Sequence, residues 1–188
     1  MDCWFNRTME FLNNASIAAF FGAFAAYFLV ALTDWRRRRK RIGLLARRIL
    51  INRDLAVAKR ETAQTNIAMI RENRFTSAPV MRFPVDDVRS LQREALDVLN
   101  AAQINALDAL VYWMESIDEL FELARKCAQE MEQLAKANAP TAELNAKGEK
   151  LLDEYSQAEV NLGYFITLAT YYINGEPNKV LKFKHGLE

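Results

Sequence analysis

From Phe11 to Thr33 the chain reads FLNNASIAAFFGAFAAYFLVALT, twenty-three residues without a charge, and DWRRRRKR follows at once. As a helix rising about 1.5 Å per residue, the first stretch is long enough to cross a hydrocarbon core of roughly 30 Å. A helix that is apolar all round is either covered by protein on every side or immersed in lipid. Trp4 and Trp35 bracket the run. Their separation as helix is close to the roughly 40–45 Å that includes both headgroup layers, where indole rings prefer to sit. A cleaved signal peptide would carry its cations before the apolar run, whereas Arg36 to Arg41 come after it. The expectation is a single transmembrane helix with a short external N-terminus, over residues 1–35.

The cations then set the orientation. Positive residues beside a spanning helix are retained on the cytoplasmic side, so everything from Arg36 onward is expected inside, at the inner membrane if the cell is bacterial. Arg36, Arg37, Arg38, Arg39, Lys40 and Arg41 are the residues expected to meet anionic headgroups, each adding about 1 kcal/mol near the surface. The same polycation would attract nucleic-acid phosphate, although it lacks interleaved aromatic residues.

The apolar run sorts its side chains. Ala15, Ala18, Ala19, Gly22, Ala23, Ala25 and Ala26 fall on one side of a helix; Phe20, Phe21, Phe24, Tyr27 and Phe28 fall on the other. Ala18, Gly22 and Ala26 are spaced by four, as are Ala15, Ala19 and Ala23. Small residues at this spacing let membrane helices approach closely, so self-association through this face is expected, with the rings toward lipid. No ionisable residue lies within the span, which leaves a proton relay or voltage sensor without its working group.

Beyond the span the charge is unevenly distributed. Residues 36–60 hold eleven basic residues and one acid, Asp54; residues 86–159 hold sixteen acids and seven bases. A net charge of only +1 over 188 residues conceals this. Four prolines and six glycines leave little room for an all-β fold. Residues 36–72 are expected to form a basic juxtamembrane helix, continuing from the span or bent just after it. Its apolar positions are Ile42, Leu45, Ile49, Ala56, Ala63, Ile67 and Ile70, and Asn52 and Lys59 interrupt them, which suggests a face only partly buried. Pro79 and Pro84 then break the helix.

Residues 73–188 are expected to be a cytoplasmic helical bundle with a short tail. Asp86 or Asp87 is a candidate N-cap. Val88, Leu91, Ala95, Val98 and Ala102 follow one apolar frame, and Leu110, Trp113, Ile117, Leu120, Ala124, Cys127, Met131 and Leu134 follow another. A stutter or break is expected where they meet, between Asn100 and Asn105. After a turn at Ala139-Pro140, with Thr141 as candidate N-cap, a second heptad runs through Leu144, Gly148, Leu151, Tyr155, Ala158, Leu162, Phe165, Ala169 and Tyr172. It stops at Asn174-Gly175 with Pro177 beyond. The short connection predicts an antiparallel coiled-coil hairpin with Trp113, Ile117, Leu120, Leu151, Tyr155, Leu162 and Phe165 in its core. Folding about residue 139 sets Met131 beside Gly148, Ala124 beside Tyr155, Leu120 beside Ala158 and Trp113 beside Phe165. Val80-Met81-Arg82-Phe83 and Val180-Leu181-Lys182-Phe183 share a pattern; they either pair as two short strands or, preferably, are loops that each tuck one Phe into the core.

Chemistry is sparse. The sequence carries no phosphate-cradling glycine loop, no metal-ligand cluster and no nucleophile–base–acid set, so no enzyme activity, cofactor, metal or small-molecule substrate is expected. Glu115, Asp118, Glu119 and Glu122 share a helix surface and read as a solvated acidic face. Cys127 reads as a small hydrophobe; Cys3 falls on the other side of the membrane, and His185 lies in the tail. The architecture points to a membrane-anchored, self-associating interaction or regulatory protein that binds a cytoplasmic partner. Two alternatives are a membrane-perturbing effector, pore-forming or depolarising, of the kind used in bacterial toxin or phage-defence systems, and a membrane tether for nucleic acid.

Overall fold

The computed structural model describes residues 2–72, 74 and 81–184, with side chains described for 17–72, 74 and 81–183. Among the described residues the protein is all-α, with five helices and no strand. They are α1 (Asp2–Arg71), α2 (Val85–Glu94), α3 (Ala101–Lys136), α4 (Thr141–Ile173) and α5 (Pro177–Lys184). The chain divides into two compact units, Met1–Arg41 and Ile42–Glu188. The boundary falls at the end of the cation run. Residues 42–71, grouped by charge with Arg36–Arg41, therefore belong structurally with the later helices.

The first unit is helix alone. Thr33 Oγ1 donates to the Leu29 carbonyl at 2.7 Å, so its hydroxyl is satisfied within its own helix.

The second unit is a bundle with one apolar core contributed by α1 residues from Leu45 onward and by α2 to α5. α3 and α4 pack along their length. A Cβ built on Gly148 would lie 3.7 Å from Met131 Cε, Phe121 meets Tyr155 with ring centroids 6.0 Å apart, and Trp113 meets Tyr164 at 5.9 Å. Contacts descend α3 as they ascend α4, so the two run in opposite directions. Met131 and Gly148 are neighbours as expected, and the Trp113 ring packs on that of Tyr164.

α3 uses more of its circumference than one heptad frame predicts. Leu107, Leu110, Met114, Ile117, Phe121, Ala124, Ala128 and Met131 are buried, a second seam offset from the first. Trp113 and Leu120, expected in the hairpin core, are only partly buried against it. The reason is position: α3 packs against α2, α4 and α5 and is paired with α1 through Asp118. In α4 the expected heptad is buried from Leu151 to Tyr172.

Local chemistry explains where the helices stop. Pro84 and Pro140 occupy the N-cap positions of α2 and α4; Asp86 and Asp87 lie in the first turn of α2 rather than capping it, and Thr141 is the first residue of α4. Carboxylates in a first turn still favour the positive end of the helix dipole. The break between the two apolar frames comes at residues 95–100, slightly ahead of its expected place. It ends in a capping box: Gln103 N–H donates to Asn100 Oδ1 at 2.8 Å, and Asn100 N–H donates to Gln103 Oε1 at 3.0 Å. α3 and α4 end alike. Ala139 N–H donates to the Leu134 carbonyl and Asn138 N–H to that of Ala135, with Asn138 at φ 53°. Glu176 N–H donates to Tyr171 and Gly175 N–H to Tyr172, with Gly175 at φ 77°. Both are reverse-turn terminations that need a left-handed residue.

The strand pairing considered for 80–83 and 180–183 does not form among the described residues. Val180–Phe183 is helical within α5, which begins at Pro177, a residue suited to a first helical position. Helical spacing lets Val180 bury and Phe183 pack on the Tyr164 ring at 5.2 Å. Phe83 is buried against Phe165 at 5.3 Å; Val80 lies outside the described residues.

Asn100→Ala is expected to lower stability by about 1 kcal/mol through loss of the cap. Gly175→Ala should lower it by about 1–2 kcal/mol, because a Cβ is strained in the left-handed region. Chemical denaturation of the detergent-solubilised full chain, followed by circular dichroism, measures both; unchanged midpoints would contradict these assignments.

Candidate functional site

Among the described residues of the first unit the apolar side chains are left largely uncovered. Phe20, Phe21, Phe24, Tyr27, Phe28, Leu29 and Val30 are all more than half exposed, and none of the most apolar stretch is buried. α1 is the one helix among the described residues that is long and apolar enough to cross a membrane. A helix of this composition inside a protein core would be covered; this one is bare.

The small-residue face is equally open. Ala18, Ala19, Gly22, Ala23 and Ala26 are exposed, and a Cβ on Gly22 would meet nothing within 4 Å. The side chains of Ala15 and Trp4 lie outside the described residues. Trp35 is 53% exposed, and the Arg39 guanidinium carbon sits 5.1 Å from its ring centroid, a cation–π contact. Arg36, Arg37, Arg38, Arg39 and Lys40 are exposed and Arg41 is partly buried. An indole with a guanidinium over its face supplies apolar body and charge together, which suits an interfacial layer.

The second unit holds a buried ion pair. Lys59 on α1 is 3% exposed and forms an ion pair with Asp118 on α3. Asp118 Oδ2 also accepts from the Phe83 backbone N–H at 2.8 Å. The ammonium lies 4.1 Å from the Phe83 ring centroid and 5.1 Å from that of Phe121. Burial pushes the Lys59 ammonium below the ordinary lysine range, and the hydrogen bond and charge of Asp118 pull it back. Lys59, Asp118, Phe83 and Phe121 thus join α1, the 81–84 connection and α3, and Phe83 carries the cluster on to Phe165 of α4.

This overturns two expectations. Asn52 and Lys59 do not interrupt a half-exposed face: they are buried at 0% and 3%, and Asn66 joins them at 8%. Nor is the acidic face simply solvated. Asp118 is paired with Lys59, Glu115 with Arg89 at 2.7 Å, and Glu122 with Arg125 at 2.5 Å and Arg82 at 3.4 Å. The Arg125 hydrogen bond leads in holding the Glu122 carboxyl below the usual range. These acids and Asp86–Asp87 line an open groove of about 870 Å³ with Arg82 and Lys126 at its rim. Among the described residues no group of three or more His, Cys, Asp or Glu side chains is arranged to hold a metal ion.

Of the expected hairpin residues, Ile117, Leu151, Tyr155, Leu162 and Phe165 are buried. Cys127 is buried, its thiol donates to the Lys147 carbonyl at 3.4 Å, and burial pushes its pKa up. That disfavours the nucleophilic thiolate. The Cys3 side chain and His185 lie outside what the structure describes. Comparison with known proteins adds no relative: no family model, curated protein or solved structure matches the chain significantly.

Removing one partner of a buried ion pair leaves an uncompensated charge, at a typical cost of about 3–5 kcal/mol. Asp118→Ala is expected to lose that much, because it also removes the acceptor of the Phe83 N–H. Urea titration of the full chain in detergent measures it, and a loss below about 1 kcal/mol would contradict the buried pair.

Proposed function

We propose that the protein is a single-pass membrane-anchored helical interaction protein, with the first unit in the bilayer and the second in the cytoplasm. The observation that carries this reading is the uncovered apolar surface of residues 17–31 of α1, followed closely by Arg36–Arg41. Exposed phenyl rings in water would be a large uncovered apolar patch; in hydrocarbon they are solvated. The cations that follow hold the second unit on the inner face and meet anionic headgroups.

The chain self-associates through Ala18, Gly22 and Ala26, whose small side chains leave the backbone accessible to a second helix. α3 and α4 act as an antiparallel coiled-coil hairpin that stiffens the cytoplasmic unit. That unit displays the groove lined by Asp86, Asp87, Glu115 and Glu119 to a cytoplasmic protein partner. The absence of a catalytic constellation in the sequence favours recruitment or restraint over chemistry.

The experiment has two arms. A reporter active only outside the cytoplasm, fused to the C-terminus, is expected to be inactive, and a cytoplasmic reporter at the same place active; the reverse would overturn the orientation. Gly22→Leu with Ala26→Leu is expected to reduce cross-linked oligomer in membranes at least several-fold while membrane association is retained. An unaltered cross-linking pattern would remove self-association through this face.

A further inference from the structure

The face that α1 turns to the bundle is built unlike the rest of the core. Its buried positions are Leu45, Ile49, Asn52, Ala56, Lys59, Ala63 and Asn66, spaced alternately by four and three. One set of seam positions, repeating every seven residues, therefore reads Asn52, Lys59, Asn66, and the set between them is alanine at Ala56 and Ala63. Fully buried large apolar side chains are confined to Leu45 and Ile49 at one end, while Ile42, Leu55, Ile67 and Ile70 pack only partly buried against the core. The facing helices are built from Met114, Ile117, Phe121, Leu151, Tyr155 and Leu162, all buried.

The polar members are poorly met. Among the described residues neither the amide nitrogen nor the carbonyl oxygen of fully buried Asn52 finds a partner, and Arg48 Nε also finds none. Buried groups left unpaired oppose docking by the full cost of desolvation. Charge matching adds to the apolar contacts of α1 and sets its register. Lys59 pairs with Asp118, Arg60 Nε donates to Glu159 Oε1 at 2.7 Å, Gln64 Nε2 donates to the same oxygen at 3.0 Å, and Arg48 pairs with Asp87. A heptad slip would leave Asp118 facing an asparagine amide instead of a cation. Polar seam residues of this kind fix register at the expense of stability.

We infer that residues 45–70 of α1 are a releasable latch, docked on α3 and α4 in one register by Lys59 and opening as a unit while α3 and α4 stay packed. Opening separates Lys59 from Asp118 and uncovers the aromatic faces of Phe83 and Phe121. It is the least apolar seam of the bundle that opens, as locally unstable segments do in sub-global unfolding. The latch acts within the second unit and does not depend on the first unit entering a bilayer.

Hydrogen–deuterium exchange of the full chain in detergent micelles, read by mass spectrometry, tests this. Amides of 45–70 are expected to exchange together at least tenfold faster than those of 110–131 and 151–169. Asn52→Leu, which replaces the unpaired amide by an apolar side chain, is expected to slow the 45–70 group at least tenfold and leave the other two unchanged. Asn52→Ala, which removes the same polar atoms without adding bulk, is expected to leave that group no faster than in the wild type. Equal rates across α1, α3 and α4 in the wild type would overturn the latch. So would acceleration of 45–70 in both variants, the result if a bridging water satisfies Asn52.

Discussion

The structure depends first on the transfer free energy of one exposed helix. Burial of apolar surface contributes about 25 cal/mol per Å², and among the described residues the rings and branched side chains of Phe20–Val30 are left more than half exposed. That this segment is left bare, and that the cations begin within a few residues of its end, are two sides of one constraint. Hydrocarbon accepts rings and alanines but not guanidinium, and the proposed span and its stop both rest on that difference.

The second unit obeys a different economy. Its stability rests on the apolar contact of α3 with α4, reinforced where the chain turns by a capping box at Asn100 and left-handed terminations at Asn138 and Gly175. α1 joins that pair with alanines and three buried polar residues. The Lys59–Asp118 pair sits where α1, α3 and the 81–84 connection meet, so one interaction orders three pieces of chain. Desolvation works against it and the aromatic rings of Phe83 and Phe121 partly compensate, which keeps the contact specific without making it strong.

Much of this was legible in the residues. The long apolar N-terminal helix, the turn at Pro140, the α4 heptad and the Met131–Gly148 neighbours follow from spacing and from large-against-small matching alone. Other features were hidden for physical reasons. A heptad frame describes one neighbour, and α3 has several, so Met114 and Phe121 fell outside the frame that found Leu110 and Ile117. The polar seam of α1 was misread because hydrophobic periodicity counts Asn and Lys as solvent-facing. The signal that could have found it was the seven-residue recurrence of Asn52, Lys59 and Asn66 in step with Leu45. Val180–Phe183 reads as a strand or, preferably, a loop because a four-residue pattern is too short to reveal the i, i+3 spacing that buries Val180 and packs Phe183 in α5. The partnering of Asp118 was invisible too, since ion pairs fifty-nine residues apart leave no local trace.

The central claim is that residues 17–32 lie in hydrocarbon with Arg36 at its inner edge. Cysteine scanning tests it most directly: cysteines placed singly along 17–44 in a chain lacking Cys3 and Cys127 are reacted, in native membranes, with a maleimide that labels only water-exposed thiols. The account predicts no labelling across the span and a sharp return of labelling from about Arg36, accessible only from the cytoplasmic side. Labelling throughout 17–32, or on alternate helical faces as for a surface-lying helix, would contradict it.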